Sequence, residues 1–519
     1  MPAIRTLTAQ EILDSRGRPT VEVCCTLESG ARACASVPSG ASTGSAEALE
    51  LRDDDPGRYR GLGCRTAVHN VERPIASAVG GIEFENQREL DATLIALDGT
   101  PNKSRLGANA ILGVSLAYAR AVAAERGVPL YRQFADIFEP NMDLRYLPRP
   151  TVNLFSGGKH AGGQVEIQDI LLVANGAETI DDALAWTWAV YQTAAELIAQ
   201  RYGERALKAD EGGLAPSAKS IEELFELAID AITDSGFRPG IDLSLCLDVA
   251  ASHFTSGEGY RIAGEWVFPG GLIDRIGRWV DTYPIVSVED GLAENDWDNW
   301  PALLERISPR AIVLGDDLLT TNPRRIEKAI ETGAANALLL KVNQIGTLSE
   351  AAEAARIARA ADWKIVVSAR SGETEDNWLA DLALGWQGDD AQGRPVTQSE
   401  RLAKWNRLRS NGKPVSPSLP GQTAPDSRRC PGAPIAAAVW ASTTVPAPDQ
   451  RPLYLPAAIR ADSPQHRTNQ HVPPAQAHHQ SRPPCRPPDR RRIAPFRGED
   501  RATGRGRQDG CGCHERRGG

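Results

Sequence analysis

Six charged residues fall at or near the ends of six apolar runs in this chain: Glu211 in ALKADEGG, Asp248 in LSLCLDVA, Glu289 in PIVSVEDG, Asp316 in AIVLGDD, Lys341 in ALLLKVNQ and Arg370 in KIVVSAR. The carboxylates of Asp248, Glu289 and Asp316 are hard oxygen ligands of the kind Mg²⁺ prefers, with water and substrate completing its shell. A lysine beside such a charge has its pKa lowered and is freed to act as a base. Arg370, followed by Ser371, presents a fork suited to a phosphate group. This set supports removal of a proton from carbon next to a carboxylate, a step that needs cationic charge on the carboxylate oxygens and a base held near neutral pKa. One charged strand end is as readily a solvated rim. An ordered series of them is much harder to explain that way.

These runs, preceded by PTVNLF and QDILLVA, alternate with amphipathic helical patterns from Leu147 onward. That alternation predicts parallel strands with helical crossovers closed into a (β/α)8-type barrel. The carboxyl ends of barrel strands converge on one mouth, so the residues above would meet there. Residues 1–138 instead mix β-type runs (PTVEVCCTLES, ARACASVPSG) with helical ones (GANAILGVSLAYARAVAAERG), an α+β domain. The expected layout is residues 1–138, a barrel over 139–410, and a tail over 411–519.

The tail differs in kind, holding 18 of the 36 prolines and 5 of the 8 histidines with almost no periodicity. It is expected to be disordered, or to be GC-rich coding sequence read in a wrong frame. Its CGCH and RRR clusters are what such a composition generates by itself. The first 410 residues carry 41 Lys and Arg against 59 Asp and Glu, while the last 109 carry 17 against 8. An acidic body argues against nucleic acid and anionic membranes as partners and leaves an anionic substrate to be drawn in by metal or local cations. No uncharged apolar run of membrane-spanning length and no signal-like start is present, so a cytoplasmic protein is expected. The body cysteines, Cys24, Cys25, Cys34, Cys64 and Cys246, are expected as buried free thiols.

The strings EILDSRGRPTVEV, PSGASTGSAEALELRD, GANAILGVSLA, DEGGLAP, VSVEDGL, GDDLLTTNP, LLLKVNQIGTLSE and RSGETED, in this order, closely resemble the enolase (phosphopyruvate hydratase) family as far as about Leu408. Enolase-superfamily sites use a Lys or His base with one or two Mg²⁺, a property of the family and not a reading of this sequence. The resemblance implies an enolase-like α+β domain before the barrel, and two Mg²⁺. It implies Asp248, Glu289 and Asp316 as main metal ligands, with Ser42 of a closing PSGAST lid on the second ion. Lys341 becomes the base and Glu211 the helper of the departing hydroxyl. His160, Arg370 and Ser371 become substrate contacts, and a dimer or octamer is implied. Glycines suit a lid that hinges, although alone the loop reads as a turn.

Three positions depart from the family pattern, all at its active site. Asp169 stands where the family has Glu, Ala369 where it has His, and Gln392 where it has the Lys that clamps the substrate carboxylate, with Arg394 nearby as a replacement charge. Losing a charge-assisted contact in a closed site removes orders of magnitude in rate. The reading is therefore a specialised Mg²⁺-dependent relative acting on a 2-phosphoglycerate or phosphoenolpyruvate-type acid, in the manner of carboxyphosphonoenolpyruvate synthase of phosphonate antibiotic pathways. Ordinary 2-phosphoglycerate dehydration in glycolysis and an inactive enolase-fold binding protein are the alternatives.

Overall fold

The computed structural model describes residues 2–41, 43–393 and 395–415, with side chains as far as Gly412. Ser42, Arg394 and, of the tail expected over 411–519, everything beyond residue 415 lie outside the described residues. Near the start, β1 (Ile4–Leu13), β2 (Pro19–Leu27) and β3 (Arg32–Ser36) form an antiparallel meander. Its apolar face, including Val21, Val23, Cys25 and Leu27, is buried. The helix Ala108–Arg126, buried along nearly its whole length, packs on β2 and β3. Such a helix reads as continuously apolar because it is enclosed on all sides. Asn86 caps the helix Gln87–Asp98 by accepting from Glu89 N.

β2 and β3 place Cys24 and Cys34 directly opposite each other, and these two are joined by a disulfide. That corrects the expectation of free thiols for this pair, which was made without knowing the strand register. Cys25, Cys64 and Cys246 are free.

The second part is a closed eight-stranded barrel. Its strands are β4 (Arg149–Ser156), β5 (Asp169–Val173), β6 (Ser244–Asp248), β10 (Ile285–Glu289), β11 (Ile312–Gly315), β12 (Ala337–Leu340), β13 (Lys364–Ser368) and β14 (Asp390–Gln392). Between β6 and β10 a small sheet of β7 (Thr255–Ser256), β8 (Gly259–Ile262) and β9 (Glu265–Val267) rises from the rim.

The barrel is not uniformly parallel: β5 runs antiparallel to both β4 and β6. A twelve-residue mouth loop, 157–168, therefore joins β4 to β5, and the helices Ile180–Tyr202 and Ile221–Asp234 lie between β5 and β6. The run ALKADEGG, expected as a strand, is a turn-rich segment with isolated bridges from Leu214 to Phe155 and Lys208. Gly213 explains part of this, since a Cβ there would sit 2.4 Å from Ser156 Oγ, a packing against β4 that only glycine permits. The last helix, Ser399–Val415, passes the expected boundary at 410 because Asn411 is buried and donates to Asp381. Among the described residues no helix is long and apolar enough to cross a membrane.

Candidate active site

Strand register does most of the assembly. Asp169, the first residue of β5, is paired with Asp248, the last of β6, and Asp248 is paired with Glu289, the last of β10. Three carboxylates thus stand in one row across three neighbouring strands. Glu289 is paired in turn with Leu314 of β11, two residues before Asp316. Lys341 directly follows β12 and Arg370 follows β13 by two residues. All six of these side chains belong to buried residues.

Their contacts show what the mouth is built to hold. Lys341 Nζ lies 2.5 Å from Asp316 Oδ2, and Gln344 Nε2 donates to the other Asp316 oxygen at 2.7 Å. Burial raises the Asp316 carboxyl, but the Lys341 ammonium, the Arg370 guanidinium and the Gln344 amide together outweigh it and hold the group below its ordinary range. Gln168 donates to Asp248 at 2.8 Å, and Gln392 Nε2 donates to Glu289 Oε2 at 3.3 Å. Asp290, Asp316 and Asp317 bring carboxylate oxygens within 4.8 Å of one another. Burial first, and the neighbouring carboxylates second, push Asp290 well up and Asp317 to about 8. So many buried carboxylates with few cations among them form a donor set that fits a hard divalent cation.

On the other side of the mouth, His160, Asp169 and Glu211 are drawn into one buried cluster. His160 Nδ1 is 2.7 Å from Asp169 Oδ2 and 3.3 Å from Glu211 Oε2. Asp169 also accepts from Asn153 at 2.7 Å and Ser156 at 2.6 Å, so the shorter arm is held back against β4. Unlike Asp248 and Glu289, which close their strands, Asp169 opens its own. The reversal of β5 is what brings it to the mouth.

Arg370 is held by Glu47, with contacts of 3.0 and 3.1 Å, and by Asn343 at 2.9 Å. Ser371 Oγ accepts from Ala41 N at 2.6 Å and from Arg16 at 3.1 Å. Ser39 and Gly372 exchange two backbone hydrogen bonds of 2.8 Å, which pin the base of the PSGAST segment to the barrel. Ala369 is buried, and its N donates to Gln392 O at 3.0 Å.

Sequence reasoning missed Glu47, Gln344, Asp290 and Arg401. Asp290, at φ +42°, accepts from the backbone N of Asp316 and of Asp317, and Arg401 donates to the carbonyls of Arg370 and Ser371. Only Asp290 and Gln344 carried a signal, being next to Glu289 and close to Lys341 in sequence.

A family model described as "Enolase, C-terminal TIM barrel domain" matches residues 145–412, and one described as "Enolase, N-terminal domain" matches residues 4–134. The chain belongs to the enolase family. Enolase membership accounts for the closed barrel and makes the chain an enzyme of that superfamily by descent.

Proposed function

We propose that this enolase-family protein abstracts a proton next to the carboxylate of a small phosphorylated acid of the 2-phosphoglycerate type, or returns one to a phosphoenolpyruvate-type acid in the reverse sense, with Mg²⁺, and that its substrate is modified or additional relative to 2-phosphoglycerate. Asp248, Glu289 and Asp316 would hold the main ion and Ser42 would contribute to a second. Bound there, Mg²⁺ would supply positive charge to the substrate's carboxylate oxygens.

The remaining work falls to the chain's own residues. Lys341 receives the proton at Nζ, with Asp316, itself held by Gln344, fixing its position. Glu211 serves the departing group, and its contact with His160 ties it to the loop 157–168. Arg370 and Ser371 orient the phosphate, and the segment pinned at Ser39 excludes water when it closes over the mouth.

The observation that carries the specialised reading is Gln392. Its amide donates to Glu289 at the position where the family's lysine would bring a charge to the substrate carboxylate. Withdrawal of Asp169 towards β4 and the small side chain of Ala369 supports it further. Carboxyphosphonoenolpyruvate synthase, which joins a phosphonoformate unit to a three-carbon acid, is the specific activity this reading favours.

Purified protein with Mg²⁺ and 2-phosphoglycerate, followed by enolpyruvate absorbance, tests it. Turnover orders of magnitude below an ordinary enolase assayed alongside is expected. Turnover equal to that enzyme would establish plain dehydration and end the specialised reading.

A further inference from the structure

β3 lies at the edge of its sheet, with β2 on one side only. Backbone groups along such an edge lack a ladder partner and must be covered. Val37 N donates to Val21 O at 2.9 Å, and Leu27 N donates to Ala31 O at 2.9 Å. These bonds make Glu22–Ser36 and Cys24–Cys34 the non-hydrogen-bonded pairs, whose side chains approach closely and whose backbone groups on β3 turn outward.

The outward groups meet the barrel. Arg120, on the helix Ala108–Arg126, donates to Cys34 O at 2.6 Å and to the two oxygens of Asp376 at 2.5 and 2.8 Å. Asp376 Oδ2 also accepts from Ser36 N at 2.9 Å, and Trp378 Nε1 donates to Ser36 O at 3.2 Å. Cys34 and Ser36 thus hold, directly or through Arg120, the segment 370–378 that begins with Arg370 and Ser371.

Cys24 and Cys34 are half-buried, on the face of β2 and β3 opposite the buried Val21, Val23 and Cys25. Cys34 also lines an open groove of about 570 Å³ with Glu22, Ser36, Arg120 and Asp376. A thiol in solution can reach this disulfide. Cys25 and Cys64 are enclosed, and burial pushes both thiols up to about 12, so neither competes for the bond. The disulfide joins residues 10 apart in sequence, and β3 is 5 residues long. A covalent tie on so short an edge strand opposes its local opening.

We infer that Cys24–Cys34 is a thiol-exchange site, whose reduction by a dithiol loosens the β3 edge and, through Arg120 and Asp376, the segment 370–378. One thiolate of the dithiol attacks one sulfur of the pair and expels the other cysteine as a thiolate. The second thiol then attacks the mixed disulfide, so the protein gains two electrons and two protons and the dithiol leaves as a cyclic disulfide. Any effect on a phosphate held by Arg370 and Ser371 rests on the function proposed above; the exchange site does not.

The test uses the full chain. Native protein is incubated with or without dithiothreitol, alkylated and read by peptide mass spectrometry. Cys24 and Cys34 should become alkylated together while Cys25 and Cys64 stay protected. A bond that yields only after urea is added would overturn the exchange site. Hydrogen exchange then compares the two states: amides of 32–38 and 371–378 should exchange about tenfold faster after reduction and recover on reoxidation with glutathione disulfide, while β10–β12 are unchanged. Exchange of 371–378 within about twofold in the two states would overturn the coupling. So would a dithiol response that persists in the double variant Cys24→Ser, Cys34→Ser, since it would then arise elsewhere. With Mg²⁺ present, phosphoenolpyruvate should bind the reduced chain about fivefold more weakly, and equal affinity in both states would overturn the reach to the phosphate. Failure of both states to bind phosphoenolpyruvate would instead overturn the proposed function, and the exchange measurements, which need no substrate, still decide the redox site.

Discussion

Two halves of the same barrel mouth are built on different terms. The half carried by β6, β10, β11 and β12 presents Asp248, Glu289, Asp316 and Lys341, each placed by the end of a strand, with short polar contacts to Asp248 and between Asp316 and Lys341. The half carried by β13, β14, β4 and β5 presents Arg370, Gln392, His160 and Asp169, set by loops, by one reversed strand and by a segment of the N-terminal domain. By the resemblance of the sequence to the enolase family, the first keeps the family's residue types and the second holds the three departures. A strand register that fixes four charged groups at once tolerates little change, whereas a loop-built half can be retuned one side chain at a time.

The comparison breaks first at Lys341. Lys341→Ala should lower turnover by about 10²–10⁴-fold, the usual contribution of a general base, while Mg²⁺ binding persists. A variant as fast as wild type would remove this half's claim to the chemistry. Asp316→Ala should come next, with Mg²⁺-dependent binding of phosphoenolpyruvate weakened on the order of 100-fold in a calorimetric titration, since a charged ligand in a buried site is lost. Unchanged metal binding would mean that the carboxylates near β11 do not share an ion.

The loop-built half predicts a gain instead. Gln392→Lys should raise 2-phosphoglycerate dehydration about tenfold, equivalent to about 1.4 kcal/mol of transition-state binding, measured as kcat/KM. No gain would mean that Asp169 and Ala369 already exclude the ordinary substrate.

A last effect, on stability and not on turnover, concerns the floor below that half. Asp390 is raised to about 6 chiefly by burial, against the pull of Arg149. Its protonated form is favoured in the fold, so its stabilisation is complete below about pH 4 and is lost as pH rises through 6. Urea unfolding at pH 4 and pH 6.5 should show this loss reduced by on the order of 2–3 kcal/mol in Asp390→Asn.

The placement of Asp248, Glu289, Asp316 and Lys341 at the mouth was legible in the sequence because each closes or directly follows an apolar strand, a pattern that survives without any knowledge of packing. The other half was only partly legible. Asp169 was named through resemblance, yet its approach to the mouth depends on the direction of β5, which an apolar run does not encode. Glu47 meets Arg370 across more than three hundred residues, and no local spacing announces such a contact. The Cys24–Cys34 bond likewise follows from β2–β3 register and from nothing visible in cysteine spacing. The expected strand around Glu211 failed because Gly213 serves close approach to β4, and Gly212, at positive φ, packs against Pro395 and Gln398, so neither serves extended pairing.

The backward course of β5 has a wider consequence. In an all-parallel barrel, every segment at the mouth hands the chain on to a helix, and lengthening it risks disturbing how that helix seats on the wall. Here 157–168 begins and ends at the mouth, between two strands that pair with each other, and no helix hangs on its length. Residues can be inserted, deleted or exchanged there while the wall stays in register, which gives this fold a built-in place to acquire new substrates.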